Sequence, residues 1–414
     1  MSEAVNIPQL RFPEFNGAWE EKKLGEVVRY TKGFAFKSND YVDSGVRIIR
    51  VSDLGAESIK KDNKSIYLSS ENEHLYDKWK IRKNNIVITT VGSNPDLIES
   101  AVGRGIFIIN DNEGLLNQNM LKLENSTQVN NKFVHCFINS PKYIHHIKAI
   151  KRGNANQANI TVKELLDFKL SITTKPEQQK IAAFLNAVDT KIEQLSKKQE
   201  LLGEYKKGLM QQIFSQAIRF KADDGCDFPD WEEKSLGELF NYKNGGSFEN
   251  EVVKDGLYNL ITLNSITIDG ELKNEHKKIN SFDNSLKIND LIMVLSDVAH
   301  GNFLGLTAII PEDNSYVLNQ RMGALKSKGL NNVVFLRLLI NYNQKYFKLH
   351  GQGSSQQNLS KGDILKFELL LPNRNEQQKI ANFLSSIDTK IEQVGKQLDE
   401  SKQFKKALLQ QMFV

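Results

Sequence analysis

Residues 177–214 read EQQKIAAFLNAVDTKIEQLSKKQELLGEYKKGLMQQIF, and residues 376–413 read EQQKIANFLSSIDTKIEQVGKQLDESKQFKKALLQQMF. The two segments align without gaps at an offset of 199 residues and are identical at 21 of 38 positions. Internal repetition on this scale decides the architecture before any local prediction is made. The chain therefore contains the same long segment twice.

Matches upstream of each segment show that the repeat is larger than the segment itself. WEEKKLGEVVRYTKGFAF from Trp19 corresponds to WEEKSLGELFNYKNGGSF from Trp231. Two short matches follow in the same order, LNQNM with LNQRM and QANIT with QQNLS. The chain is one unit written twice, and each unit is a globular region of about 150 residues, a common domain size, followed by the long segment.

The repeated segment is predicted to be a helix of about 60 Å, at 1.5 Å per residue. Its apolar residues recur in alternating steps of four and three, which is the period of a coiled coil. Eight of ten seam positions are apolar in each copy, and the polar exceptions are Gln199, Lys206, Ser401 and Lys405. The residues predicted to pair the helices are Ile181, Leu185, Val188, Ile192, Leu195, Ile380, Leu384, Ile387, Ile391 and Val394.

A narrow apolar stripe on so long a helix has to be covered, and the other copy carries a complementary stripe. We therefore expect the two helices to pair, and a pseudo-twofold relation between similar units favours an antiparallel pair. The alternative is that each helix packs on its own globular region.

Short runs rich in β-branched residues alternate with helical patterns in both globular regions, which predicts strands with short helices. The fold class is then α+β, with two pseudo-symmetric globular domains separated by two long helices in an antiparallel coiled coil. The predicted division is residues 1–175 for the first domain, 176–218 for the first long helix, 219–374 for the second domain and 375–414 for the second long helix.

Composition is that of a soluble globular protein, with 40% hydrophobic and 25% charged residues and a net charge of +5. No apolar run approaches the ~20 residues that span a bilayer, and the first residues lack the pattern of a secretory signal, so a cytoplasmic protein without a membrane partner is expected. Residues 20–172 carry 23 basic against 18 acidic residues, whereas residues 231–371 carry 15 against 16. Charge alone therefore permits, but does not establish, a polyanionic partner.

Motifs for catalysis and for metal binding are missing from the sequence. It contains no phosphate-binding GxxxxGK[ST] loop, no HExxH, no GxSxG and no CxxC pair, so no catalytic residue and no metal ligand is predicted. The two cysteines, Cys136 and Cys226, are too far apart in sequence for a paired zinc-ligand spacing and are expected to be inert thiols. The expectation is a protein that is not itself an enzyme.

A helix with basic and aromatic residues, followed by a small polar loop with glycine, occurs once in each unit. Its lysines and arginine suit phosphates, and its amides and hydroxyls suit base edges. The alternative interpretation is a solvated helix end and a turn. The candidate DNA-binding residues are Lys148, Lys151, Arg152, Asn154, Asn156, Gln157, Lys345, Lys348, Gln352, Ser354, Ser355 and Gln356.

Taken together, these doubled elements resemble the DNA-specificity subunits of type I restriction-modification systems. The resemblance is carried by the doubled EQQKIAxFL and DTKIEQ helix, the doubled WEEKxLGE segment and the QxN[LI][ST] element before each helix, and it covers nearly the whole chain. It implies that the two globular regions are target-recognition domains, each binding one half of a split double-stranded DNA sequence. The two helices would then set the gap between the halves.

The resemblance also implies partners and cofactors. Two adenine methyltransferase (modification) subunits would dock around the helices, and ATP-driven motor-nuclease (restriction) subunits would complete the complex. This chain would bind no cofactor, whereas S-adenosylmethionine and ATP with Mg are expected on the partner subunits. The alternative function, from a different class, is a coiled-coil scaffold for protein interaction that does not bind DNA.

Overall fold

The computed structural model describes residues 6–61, 63–97, 100–124, 126, 128–154, 157–298 and 301–413. The chain divides into two compact units, of which unit 1 comprises Met1–Ser196 with Lys396–Val414, and unit 2 comprises Lys197–Gly395. Each unit therefore contains a globular region together with one half of each long helix. Among the described residues, no helix is long and apolar enough to cross a membrane.

Unit 1 contains short strands and short helices before the first long helix. Its strands are β1 (Glu20–Lys23), β2 (Arg29–Lys32), β3 (Tyr41–Val42), β4 (Val46–Ile49), β5 (Ile66–Leu68), β6 (Lys80–Ile81), β7 (Ile86–Thr89), β8 (Val91–Gly92), β9 (Gly105–Phe107), β10 (Gly114–Leu116), β11 (Met120–Glu124), β12 (Arg152–Gly153), β13 (Ala158–Asn159) and β14 (Lys169–Ile172). Its helices are α1 (Leu24–Val27), α2 (Asn131–Phe137), α3 (Pro141–Ile150), α4 (Val162–Leu166) and the beginning of α5 (Lys175–Phe214).

Unit 2 follows a similar order, with fewer strands among its described residues. Its strands are β15 (Glu232–Ser235), β16 (Phe240–Asn244), β17 (Tyr258–Ile261), β18 (Lys277–Ile279), β19 (Leu291–Val294), β20 (Ser296–Val298), β21 (Thr307–Ile309), β22 (Tyr316–Leu318), β23 (Met322–Ser327), β24 (Gln356–Asn358) and β25 (Glu368–Leu371). Its helices are α6 (Leu236–Leu239), α7 (Val333–Tyr342), α8 (Gln344–His350), α9 (Lys361–Leu365) and the beginning of α10 (Arg374–Met412).

The sheets of the two units share their main features, although, in the part of the chain that the structure describes, the sheet with the parallel pair has five strands in unit 1 and three in unit 2. In unit 1 one sheet has the order β2-β11-β7-β9, and in unit 2 the corresponding order is β16-β23-β19-β21. A second sheet in each unit contains one parallel pair, β4 with β10 and β17 with β22. The structure therefore confirms the predicted α+β class and the duplication of the globular regions.

Each globular region begins and ends on the same pair of strands. In unit 1, β1 and β14 are antiparallel partners, and Glu20 lies opposite Ile172. In unit 2, β15 and β25 pair in the same way, and Glu232 lies opposite Leu371. The chain thus enters and leaves each region at one place, immediately before the long helix.

In unit 1, the first half of α5 packs against the last part of α10 and against the globular core. Ile181 and Leu185 share a buried cluster with Leu408 and Met412, and the same cluster contains Trp19. Asp189, further along α5, pairs with Lys405, which precedes Leu408 on α10, so the two helices run antiparallel. The predicted pairing and its alternative, packing on the globular region, therefore both occur here.

In unit 2, the second half of α5 meets the first half of α10 in the same antiparallel manner. Ile213, near the end of α5, shares a cluster with Ile380 and Leu384. Gln199, earlier on α5, lies near Gly395, where a Cβ would be 2.8 Å from its side-chain amide nitrogen. The antiparallel coiled-coil pair is thus confirmed in each unit. Of the residues predicted to pair the helices, those that are buried are Ile181, Leu185, Leu195, Ile380, Leu384, Ile387 and Val394, and those that are partly buried are Val188, Ile192 and Ile391.

A segment before each globular region is tied to the first turn of a long helix. Arg11 donates to the buried Glu177 carboxylate through Nε and Nη2, at 2.7 and 2.8 Å. In unit 2, Arg219 donates to Glu376 through the same two nitrogens, at 3.2 and 2.8 Å. Glu177 and Glu376 are the first residues of the two EQQKIA motifs. Each is identical in both copies because a buried carboxylate needs the paired arginine, and the arginine needs the carboxylate.

Candidate nucleic-acid interface

The candidate residues of unit 1 lie at the end of α3 and in the hairpin that follows it. Ser140 caps α3 by accepting a hydrogen bond from the Tyr143 amide at 3.2 Å, and the buried Tyr143 hydroxyl donates to the Gly103 carbonyl at 2.6 Å. These contacts are typical of a capped, anchored helix. They fix the orientation of α3, so that Lys148 and Lys151 lie at its exposed end.

The small polar loop predicted after α3 is a β-hairpin. Strand β12 pairs with β13, and β13 pairs in turn with β8. Gly153 has a φ of +95°, and a Cβ there would lie 2.3 Å from the Gln157 carbonyl oxygen, so this position requires glycine. The Asn154 side chain accepts a hydrogen bond from the Gln157 amide at 2.9 Å and closes the turn. Asn156 lies outside the described residues.

Two of the basic candidates in unit 1 are already paired with carboxylates. Lys148 forms an ion pair with Asp96, and Arg152 donates to both oxygens of Glu164 at 2.7 and 2.6 Å. The hydrogen bonds from Arg152 and Thr161 lower the pKa of Glu164 to about 2. Arg152 therefore holds the hairpin against α4, and Lys151 is the exposed cation of this surface that has no carboxylate partner among the described residues.

Unit 2 builds the same arrangement from a different sequence. Gln352 and Asn358 exchange backbone hydrogen bonds at 3.0 and 2.9 Å, and β24 pairs with β20. Gly353 has a φ of +120°, and a Cβ there would lie 2.0 Å from the Gln356 carbonyl oxygen. Ser354 and Ser355 are exposed at the tip. The two units thus share a hairpin whose tip differs in sequence.

The other candidates of unit 2 differ in how much they are engaged within the protein. Lys345 is exposed at the beginning of α8. Lys348 donates to the Asn302 side chain at 3.2 Å. Gln356 donates to the Ser296 hydroxyl and, at 3.3 Å, to the Asn358 side chain. Gln356 therefore has a structural role in the hairpin besides any contact that it makes with a ligand.

The glycines after each tryptophan motif have a packing reason. A Cβ at Gly33 would lie 1.7 Å from the Asn117 carbonyl oxygen, and one at Gly245 would lie 2.0 Å from the Asn319 carbonyl oxygen. Both glycines therefore press against the LNQ motif of their own unit. The sequence alone left open whether they serve a tight backbone contact or the approach of a phosphate, and the structure provides the tight contact.

A charged cluster in unit 1 lies where α2 meets the long helices. The Asp189 carboxylate pairs with Lys132 at 2.6 Å and with Lys405 at 2.7 Å. Burial of this carboxylate raises its pKa, but the hydrogen bonds from the two lysines outweigh burial, and the pKa of Asp189 is lowered overall. Desolvation, with Lys132 nearby, lowers the pKa of His135 to about 3, and burial raises the pKa of the Cys136 thiol to about 12. Both side chains are therefore neutral at physiological pH.

Sequence reasoning missed several residues that the structure brings together. Arg11 and Arg219 each begin an Arg-Phe pair, and this repeated dipeptide was the available signal. The LNQ motif was visible as a repeat, but its turn was not recognised as a neighbour of the hairpin. Among the residues that the structure describes, no group of three or more metal-ligating side chains occurs.

Comparison with known proteins gives one consistent result. The sequence model of the family described as type I restriction modification DNA specificity domain matches residues 16–202 and 229–400. The type I restriction enzyme MjaVIII specificity subunit of Methanocaldococcus jannaschii is 23% identical, over 97% of this chain and 92% of that protein.

Two solved structures share the fold. The S subunit of the type I restriction-modification system of M. genitalium is similar with a TM-score of 0.62 and 18% identity, over 99% of each chain. A chain from a structure described as the basis of complex assembly and conformational transition of the type I R-M system is similar with a TM-score of 0.54 and 16% identity, over 94% of this chain and 96% of that one.

Proposed function

We propose, from the premise that this chain belongs to the family of type I restriction-modification DNA specificity domains, that it selects a bipartite DNA target with one globular region per half-site. As a specificity subunit, it supplies sequence recognition to a complex whose chemistry is carried out by other subunits. S-adenosylmethionine and ATP with Mg belong, in this proposal, to the modification and restriction subunits, and the complex acts in the cytoplasm.

The observation that carries this proposal is the repeated hairpin. Both units present an anchored helix end followed by a hairpin on β8 or β20, and both hairpins require a glycine at a positive φ. The scaffold is the same, whereas the tips differ at residues 154–156 and 353–355. Because a common frame with different polar side chains suits the recognition of different bases, each unit reads its own half-site.

A test of this assignment separates it from a scaffold that does not bind DNA. The chain is purified together with its modification subunit, and its affinity for duplex DNA is measured at several salt concentrations. A specificity subunit shows an affinity that falls as salt rises. An affinity for DNA that is absent, or that is insensitive to salt, would support the protein-interaction scaffold instead.

The long helices are proposed to set the gap between the half-sites and to dock two modification subunits. Two linked modules bind cooperatively only when their separation matches the separation of their sites. Tyr205 on α5 and Phe404 on α10 occupy equivalent positions of the repeat and are 55% and 54% exposed. Large exposed aromatics are favoured as anchors in protein interfaces. A patch that occurs twice is suited to two copies of the same partner.

The docking proposal predicts a change in stoichiometry. Native mass spectrometry of the complex should give two modification subunits per chain for the wild type, one for either Tyr205→Ser or Phe404→Ser, and none for the double variant. Tyr342→Ser, at a tyrosine that is 41% exposed in the globular region of unit 2, is the matched control and should retain two copies. Retention of two copies by the double variant would contradict this docking position.

A further inference from the structure

The LNQ motif carries an identical residue whose retention packing does not explain. The motif reads LNQNM at residues 116–120 and LNQRM at residues 318–322. Three of its shared residues are buried in both units, namely the leucine, the asparagine and the methionine. The fourth shared residue, Gln118 in unit 1 and Gln320 in unit 2, is exposed.

The buried residues of the motif have evident structural roles. The backbone of the asparagine lies so close to Gly33 in unit 1, or to Gly245 in unit 2, that only glycine fits at those two positions. The leucine is the last residue of one core strand, and the methionine is the first residue of the next. By contrast, neither Gln118 nor Gln320 makes a side-chain hydrogen bond within the described residues. A residue that is exposed and unengaged is free to diverge between the copies, and this one has not diverged.

The same hydrogen-bonded path joins this turn to the hairpin in both units. In unit 1, the Thr90 amide donates to the Asn119 carbonyl at 2.9 Å, and the Ile160 amide donates to the Thr90 carbonyl at 3.0 Å. In unit 2, the Leu295 amide donates to the Arg321 carbonyl at 3.0 Å. The Leu359 amide then donates to the Leu295 carbonyl at 2.9 Å. The glutamine turn is therefore held at a fixed position beside the proposed base-reading hairpin.

We propose that Gln118 and Gln320 donate hydrogen bonds to the sugar-phosphate backbone of their respective half-sites, an inference that rests on the proposed function. The hairpin sequences differ because the units read different bases, so an identical side chain on a turn that is bonded to each hairpin contacts what the two half-sites share. That common feature is the backbone. A carboxamide NH₂ group is a suitable donor to a phosphate oxygen, and such contacts position the protein without reading sequence.

The neutrality of glutamine makes the proposal distinguishable from an ionic contact. A lysine bound to phosphate releases counterions, so its removal flattens the dependence of affinity on salt. Removal of a glutamine weakens binding and leaves that dependence unchanged. The residues that follow, Asn119 and Arg321, differ between the units and are not part of the shared contact.

The experiment uses the chain in complex with its modification subunit. A duplex with the target identified by adenine-methylation mapping is the probe, and a duplex with one half-site scrambled is the comparison. Gln118→Ala and Gln320→Ala should each weaken binding by about 10- to 100-fold, the loss of about one hydrogen bond to a charged group, and the double variant should show the product of both effects. Gln118→Glu, which places a negative charge near phosphate, should weaken binding further.

The control is Gln128→Ala, at an exposed glutamine whose backbone carbonyl accepts a hydrogen bond from the Gln178 side chain at 3.5 Å. The affinity of this variant for DNA should equal that of the wild type. The methylated motif and the slope of affinity against salt should be unchanged in the alanine variants. Wild-type affinity in the double variant, a changed base preference in one half-site, or loss of the modification subunit would each overturn the inference. Absence of salt-sensitive DNA binding by the wild-type complex would instead overturn the proposed function.

Discussion

The Asp189 carboxylate and the Lys405 ammonium lie 2.7 Å apart, between α5 and α10 of unit 1. The equivalent residues of the repeat form the reciprocal pair in unit 2, where Lys206 lies 2.5 Å from Asp388. Each long helix thus carries one aspartate and one lysine at matching positions. Charges near an apolar seam favour one register over its neighbours, so the repeat specifies the antiparallel alignment in both units.

A charge reversal tests whether this ion pair fixes the register. Lys206→Asp places a second carboxylate beside Asp388 and should lower the free energy of unfolding by about 1–3 kcal/mol, because the pair is partly buried. The double variant Lys206→Asp with Asp388→Lys should recover most of the loss. Urea denaturation of the wild type, of Lys206→Asp, of Asp388→Lys and of the double variant measures the coupling between the two residues. If the change in the free energy of unfolding of the double variant equalled the sum of the changes in the two single variants, the ion pair would have no role in fixing the register.

Stability should fall in mild acid because of His135. The pKa of His135 is about 3 in the folded protein and about 6.5 in an unfolded chain, so below pH 6.5 the unfolded state binds the extra proton. The stability that the neutral His135 allows is fully present above pH 6.5 and is lost as the pH falls towards 3. At pH 5 the free energy of unfolding is lower by about 1–2 kcal/mol for this reason.

Denaturation midpoints at pH 7 and pH 5 test this linkage. His135→Gln should show a smaller decrease between the two pH values than the wild type, because its side chain does not titrate. His74→Gln, at an exposed histidine, should decrease as the wild type does. Equal decreases in all three proteins would exclude His135 as the cause.

Lys151 should contribute to DNA affinity irrespective of sequence. Lys151→Ala in the complex should weaken binding to specific and non-specific duplexes alike and should reduce the slope of log K against log salt by about one. Lys148→Ala is the matched control. Because the Lys148 ammonium is paired with Asp96 in the wild type, its removal should change the slope less. An unchanged slope for Lys151→Ala would place phosphate binding elsewhere on the unit.

Replacement of residues 20–172 by the corresponding region of another specificity subunit should change only one half of the recognised sequence. The exchange is structurally favourable because Glu20 and Ile172 are strand partners, so the region is closed at its ends. Methylation mapping of the chimaera gives the answer. A change in both halves would contradict independent reading by the two units.

The helices and the duplication could be predicted from the sequence because their signals are local or periodic. The seam from Ile181 onwards follows a fixed step, and the repeat needs only alignment of the chain with itself. The contacts of the site could be predicted less well from the sequence, because the ion pairs of Arg152 with Glu164 and of Lys148 with Asp96 join separate segments of the chain. Arg11 and Glu177 lie 166 residues apart, and no spacing rule links them. Likewise, only the fold shows that the LNQ turn is joined to the hairpin through Thr90 in unit 1 and through Leu295 in unit 2.

The central proposal is that the long helices set the gap between the two half-sites, and adenine-methylation mapping in the host tests it most directly. Strains should carry the wild-type gene, no gene, a deletion of residues 196–199, or four alanines at those positions. Deletion shortens one helix by about 6 Å and interrupts its repeat of apolar residues. The account predicts one bipartite motif that disappears without the gene, persists with four alanines, and changes its gap or is lost with the deletion. An unchanged motif and gap in the deletion strain would contradict it.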